Sequence, residues 1–397
     1  MTDKADPDAL PAWQRALLAA LVPAEDAIDR VRSRIDRRFG LNRPRHISAY
    51  RGFGDADHVE LMGRVLADPQ LSGPGDNDSR WRNLYASYKR FETDEVPNEP
   101  LVLEYGPARA EPSSDDEGYF NATLPGQPGV DALWAAASVS LADGSLRTPL
   151  EVLLVGADAT VGVISDIDDT LLESSITDWK VAAQLTFLHN ARTRKPLKGA
   201  AKLYQALQAG ADGRGRVPIF YVSSSPWNLH GLLQDFMALN GIPNGPMFLR
   251  DFGLDAGKFI KSPGHGHKLE RVRRLVARFP QLRWVLLGDS GQSDAGLYAR
   301  VAQEFGDRIA AIYIRDVDEA VDTPLDLAVN AQMQLVAQTR VPMMLASDSS
   351  AIARHAAQLG LIDEGWVAAI DAEVLRDAAR PTLGQAASDA AIDGKSE

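Results

Sequence analysis

Four apolar runs of strand length, at residues 161–164, 217–222, 284–287 and 309–314, are separated by long amphipathic stretches. Strands that read as continuous apolar runs are covered on both faces, and their alternation with helices builds an α/β doubly wound parallel sheet. The pattern constrains function as well as fold, because ligands of such sheets sit beyond the carboxyl ends of the strands. Chemistry is therefore expected in the residues that follow each run.

The first run continues as Ser165-Asp166-Ile167-Asp168-Asp169-Thr170. Three carboxylates in four positions repel one another unless positive charge lies among them. A hard divalent cation of the magnesium type meets that need, since it takes carboxylate and carbonyl oxygens and suits a site that also receives phosphate. The second run ends in Ser223-Ser224-Ser225-Pro226, offering hydroxyls and backbone amides near a helix start, which favours an anion. The third ends in Gly288-Asp289-Ser290-Gly291-Gln292-Ser293-Asp294 and adds two carboxylates. Before it, His267-Lys268 opens an amphipathic helix through Leu269, Val272, Leu275 and Phe279, so that the lysine can hold a phosphoryl oxygen. A single acidic turn means little. Strand ends that supply carboxylates, a hydroxyl and a lysine together specify much more.

In the order Asp166-x-Asp168-x-Thr170, Ser223, Lys268 and Gly288-Asp289 with Asp294, the chain resembles the haloacid dehalogenase superfamily of aspartate-nucleophile phosphotransferases. More narrowly, segments 164–170, 221–229, 267–269 and 288–292 resemble the catalytic domain of the actin-patch phosphatidate phosphatases and their bacterial relatives. The resemblance implies that Asp166 attacks phosphorus to form an aspartyl-phosphate, and that Asp168 serves as acid and then as base. It implies phosphate binding by Thr170, Ser223, Ser224 and Lys268. Mg2+ would be held by Asp166, the Asp168 carbonyl and Asp289, with Asp294 and Asp169 supporting the metal sphere from behind. The implied substrate is a lipid phosphate such as phosphatidate, converted to diacylglycerol. The alternatives are a soluble phosphoester, a phosphoprotein, or a non-catalytic interaction module. The intervals from Thr170 to Gly199 and from Pro226 to Lys268 hold no large lid, so a minimal cap is expected on this haloacid-dehalogenase-like sheet.

Around this catalytic region, taken as 158–340, the pattern differs. Residues 46–157 carry short alternating segments at 58–66, 100–105, 119–124, 136–141 and 150–155, punctuated by Gly, Pro, Asp and Ser. These predict an antiparallel β-sandwich-like accessory domain with one helix inserted at 80–91. Residues 1–45 read as a helical segment. The sheet signal ends near Val317, helices are expected at 349–361 and 364–379 within 341–380, and 381–397 reads as a tail.

Composition excludes several function classes. With no cysteine there is no thiol nucleophile, disulfide or thiolate metal site. Fifty-four acidic against 42 basic side chains give a formal charge of -12, which argues against a nucleic-acid partner. The apolar run at 16–22 is stopped by Pro23 and lacks a basic leader, so it reads as a helix face rather than a signal peptide. Two basic stretches stand apart from the acidic balance. One spans 30–45 with seven arginines, including Arg43 and Arg45, and the other spans 192–198 with Arg192, Arg194, Lys195 and Lys198. Both offer contact with an anionic membrane surface, so a cytoplasmic chain that meets membranes peripherally is expected. The oligomeric state is not indicated.

Overall fold

Side-chain alternation decides the first sheet. The computed structural model describes residues 44–67, 95–167, 198–250, 266–291, 293–318, 320 and 323–379. Within them, seven strands form one sheet: β1 (Arg45–Gly54), β2 (His58–Ala67), β3 (Leu101–Tyr105), β4 (Ala108–Ala110), β5 (Tyr119–Pro125), β6 (Trp134–Leu141) and β7 (Arg147–Leu154). In β3, for example, Leu101, Leu103 and Tyr105 are buried while Val102 and Glu104 are not, the period of two that a half-covered strand requires. Their order is β4-β3-β6-β7-β1-β2-β5, and the end strands β4 and β5 approach each other.

The expected sandwich is thus replaced by a single sheet curled nearly into a barrel. The cause is β1, which pairs antiparallel with β2 on one side and parallel with β7 on the other. That strand fuses two antiparallel groups that would otherwise face each other as separate sheets, and the ordinary twist of strands curls the product. The helix expected at 80–91 lies outside the described residues, as do residues 1–43, most of the 192–198 stretch and the 381–397 tail.

The second sheet is parallel throughout and follows the expected apolar runs. It comprises β8 (Val161–Ser165), β9 (Ile219–Pro226), β10 (Met247–Arg250), β11 (Arg283–Asp289), β12 (Ile309–Arg315) and β13 (Met343–Ala346), in the order β10-β9-β8-β11-β12-β13. The sheet therefore does not end near Val317. The four-residue strand Met343–Ala346 pairs with β12 and lacks the β-branched run that betrays its neighbours. Among the described residues, seven α-helices accompany it: α1 (Ala200–Ala209), α2 (His230–Leu239), α3 (Gly266–Arg278), α4 (Asp294–Phe305), α5 (Pro324–Val336), α6 (Ser349–Gln358) and α7 (Gly365–Ala379).

Successive strand residues feed opposite cores. Val163, Tyr221, Leu287 and Tyr313 pack with α1, α2, α6 and α7. Their neighbours Ile164, Phe220, Val222, Leu286 and Ile312 pack with α3, α4 and α5, and this second core also takes in Phe53, Leu153 and Val155 from the curled sheet. The two sheets therefore share a core. Among the described residues, no helix is long and apolar enough to cross a membrane.

Candidate phosphate and metal site

The order of the parallel strands reverses at β8. The chain builds β9 and β10 to one side of it and then crosses to β11 on the other, which opens a crevice at the carboxyl ends of β8 and β11. Asp166 follows β8 directly, and its backbone N–H donates to the Leu287 carbonyl at 2.9 Å, tying it to β11. Asp289 is the last residue of β11 and Asp294 the first of α4. The turn between them is tight because Gly288 has no side chain. A Cβ there would lie 2.7 Å from Asp294 Cβ and 2.8 Å from Tyr298. Tyr298, one turn along α4, donates its hydroxyl to the Leu287 carbonyl at 2.9 Å and so fixes the helix to the strand.

Into this crevice α3 delivers Lys268, which is buried. Its Nζ stands 3.0 Å from Asp166 Oδ1 and 3.1 Å from Asp294 Oδ1. Asp166, Asp289 and Asp294 are buried too, and each offers a carboxylate oxygen within 4.8 Å of the others. One ammonium cannot balance three buried carboxylates, and burial makes the surplus costly. Asp294 Oδ2 is buried without a hydrogen-bond partner among the described residues. A divalent cation would bring the four groups to neutrality. An all-oxygen donor set is what magnesium takes, so the residues present fit that ion.

Strand register brings the second strand end to the same place. Ser165 pairs with Tyr221 of β9 and with Leu287 of β11, so Ser223 and Asp289 lie one step beyond the level of Asp166. Ser223 is buried, and its hydroxyl accepts from the Ser225 N–H at 2.8 Å, which shapes the end of β9. Ser224 is more exposed. Asp168, Asp169 and Thr170 lie outside the described residues, so the structure brings together Asp166, Ser223, Lys268, Asp289 and Asp294 of the expected set.

Three supporting groups were not foreseen as such. Ser165 Oγ lies 2.6 Å from both the Asp166 carbonyl and the Tyr204 hydroxyl. Since the serine proton goes to the carbonyl, Tyr204 must donate to the serine. Burial pushes the Tyr204 and Tyr298 hydroxyls well above the usual phenol range, with the nearby aspartates adding to it, so both stay neutral donors. His267 sits in the first turn of α3, the helix start expected from sequence, and donates from Nε2 to the Ser223 carbonyl at 3.2 Å. Its position beside Lys268 was the available signal. Of the basic stretch at 30–45, Arg45 is engaged with Glu99 and Asp143.

A doubly wound α/β protein with a buried carboxylate and lysine centre at its switch point is the class that fold and site define. Residues 161–316 match the family model for the catalytic domain of Phosphatidate phosphatase APP1, so this segment is similar to that domain. It is 28% identical over 285 residues to Phosphatidate phosphatase APP1 of Saccharomyces cerevisiae, covering 65% of this chain and 47% of that protein. It is 27% identical over 158 residues to an uncharacterized protein of Schizosaccharomyces pombe, covering 40% of this chain and 25% of that one. The chain thus spans less than half the length of these curated relatives. Among solved structures, a carbohydrate acetylesterase from Xanthomonas citri aligns with 84% of this chain and 74% of its own at 11% identity, with a TM-score of 0.32, too low to argue from.

Proposed function

We propose that this chain is a phosphatase that hydrolyses a phosphomonoester, with a lipid phosphate of the phosphatidate type as substrate. The observation that carries the reading is the contact of the buried Asp166 carboxylate with Lys268, beside two further buried carboxylates at the crevice. The match to the APP1 catalytic domain supports the substrate class.

In this reading an Asp166 oxygen bonds to phosphorus as the ester P–O bond breaks, which divides hydrolysis into two easier steps. The departing alkoxide takes a proton from Asp168. Water then attacks the aspartyl-phosphate, gives its proton to Asp168, and releases phosphate with Asp166 restored. Lys268 holds a phosphoryl oxygen and offsets the charge of the nucleophile, while Ser223 and the amides of its turn bind the transferred group. Asp166, Asp289 and the Asp168 carbonyl would hold Mg2+, with Asp294 fixing Lys268; the ion supplies counter-charge for the phosphoryl oxygens. Thr170 would steady the turn that carries the nucleophile, and Asp169 would support the metal ligands.

Phosphate release from phosphatidate vesicles, glucose 6-phosphate and a phosphoserine peptide, each with magnesium and with chelator, tests this. The expected result is magnesium-dependent release that is fastest from the vesicles. Faster release from either soluble substrate moves the substrate class while keeping the chemistry. Release from none overturns the reading.

A further inference from the structure

The curled sheet meets the parallel sheet through two rings of one strand, and one of them reaches the turn that follows β9. In a regular strand, residues three apart point to opposite faces. Tyr50 and Phe53 nonetheless both face the parallel sheet. Tyr50 pairs with Met62 and Phe53 with Glu60, so β1 carries one residue more than β2 between these pairs, a bulge that turns the second ring to the same side. Gly52 lies within that bulge, where a Cβ would stand 2.5 Å from the Glu60 carbonyl oxygen.

The two rings have different neighbours. Phe53 enters the shared core, with ring centroids 5.7 Å from Phe220 and 5.5 Å from Phe248. Tyr50 instead stacks on Trp227 at 4.4 Å with the planes 19° apart, and lies 4.4 Å from the His230 ring. Trp227 opens the short turn Trp227–Leu229 that directly follows Pro226, the last residue of β9, and His230 opens α2. Burial, with nearby Arg51 adding to it, lowers the His230 imidazole to about 3, so the stack stays uncharged near neutral pH. The end of β9 itself is held by the His267 bond to the Ser223 carbonyl. The strand end is therefore held by α3 at Ser223 and, through the turn that follows it, by the curled sheet.

We propose that Tyr50 is a positioning residue for the reaction: by stacking on Trp227 and His230, the curled sheet fixes the turn after β9 and with it the strand end that presents Ser223 and its amides to phosphate. The proposal rests on the phosphatase reading of the site. Positioning groups act strongly because a displacement of about 1 Å at a reacting centre can cost about a hundredfold in rate.

The test uses the full chain carrying Tyr50→Ala, Tyr50→Phe, Ser223→Ala, and Tyr50→Ala with Ser223→Ala. Phe53→Leu on the same strand serves as a control that loosens the shared core without touching the turn. Phosphate release and tungstate affinity are measured well below each melting temperature. Tyr50→Ala should lower kcat and weaken tungstate binding by about tenfold or more, Tyr50→Phe should restore both, and Phe53→Leu should lower only the melting temperature. In the Ser223→Ala background the Tyr50→Ala effect should shrink to about twofold or less. Wild-type kcat in Tyr50→Ala, or the same loss with Ser223 absent, overturns the positioning role alone. A wild-type chain that neither releases phosphate nor binds tungstate overturns the phosphatase reading and this proposal with it.

Discussion

The two sheets use charge in opposite ways. On the curled sheet, Arg109 with Glu111 and Arg147 with Glu104 are ion pairs in solvent, where each contributes little to stability. At the end of the parallel sheet, Lys268 meets Asp166 and Asp294 out of reach of water, and no surface screening softens the excess of negative charge. Exposed pairs can be exchanged at small cost. A buried, unbalanced cluster is kept only where something else uses it, and that contrast marks the chemical end of the molecule. The sheets also differ in what they give each other. The parallel sheet supplies the carboxylates, while the curled sheet supplies Tyr50 and Phe53 and makes no carboxylate cluster of its own among the described residues.

The comparison breaks most visibly at Lys268. Replacing it as Lys268→Met removes the ammonium from between the buried Asp166 and Asp294 carboxylates, and the expected loss is about 3–5 kcal/mol in chelator. Magnesium should raise the melting temperature more in this variant than in the parent chain, as scanning calorimetry can show. Unchanged stability in chelator would place the carboxylates in water.

Phe53→Ala tests whether the sheets share a core in energy as well as in contact. The expected cost is about 3–5 kcal/mol, with the unfolding of both sheets shifted together when followed by far-UV circular dichroism and by tryptophan fluorescence. Two separated transitions, with only one displaced, would make the sheets independent.

A smaller effect belongs to Asp55, which bonds to Arg278 of α3 at 2.6 Å across the same boundary. Partial burial alone would raise its carboxyl, but the Arg278 bond and the His58 and Asp57 amides outweigh that and hold it below its ordinary value of 3.8. A carboxyl lowered in the folded state adds stability above its unfolded value, and that contribution disappears as pH falls through the folded one. The stability gap between the parent chain and Asp55→Asn should be full near neutral pH and close as pH drops below 3.8. A gap that does not depend on pH would remove Asp55 from the boundary.

Much of the parallel sheet was legible because strands covered on both faces show as unbroken apolar runs, as at 309–314, where every residue of the run is buried. The strand ends were legible for a related reason, since Asp166, Ser223 and Asp289 interrupt apolar runs with groups that cannot be buried without a purpose. Lys268 was legible from its place at the start of an amphipathic pattern. The central strand β1 was not, because its bulge and its glycines break the alternation that identifies a strand in the curled sheet. Nor was the curling itself, which depends on the parallel pairing of β1 with β7 across about a hundred residues of chain. Tyr204 and Tyr298 act on the site through hydrogen bonds set by tertiary packing, and no local spacing encodes those.

The central claim is that Asp166 is the nucleophile of a phosphate-releasing site. Phosphate release from phosphatidate vesicles in magnesium, compared between the parent chain and Asp166→Asn, tests it most directly. The amide keeps the shape of the carboxylate but cannot attack phosphorus, so a loss of at least about a thousandfold is expected with circular dichroism unchanged. Release by the folded Asp166→Asn chain at the parent rate would contradict the account.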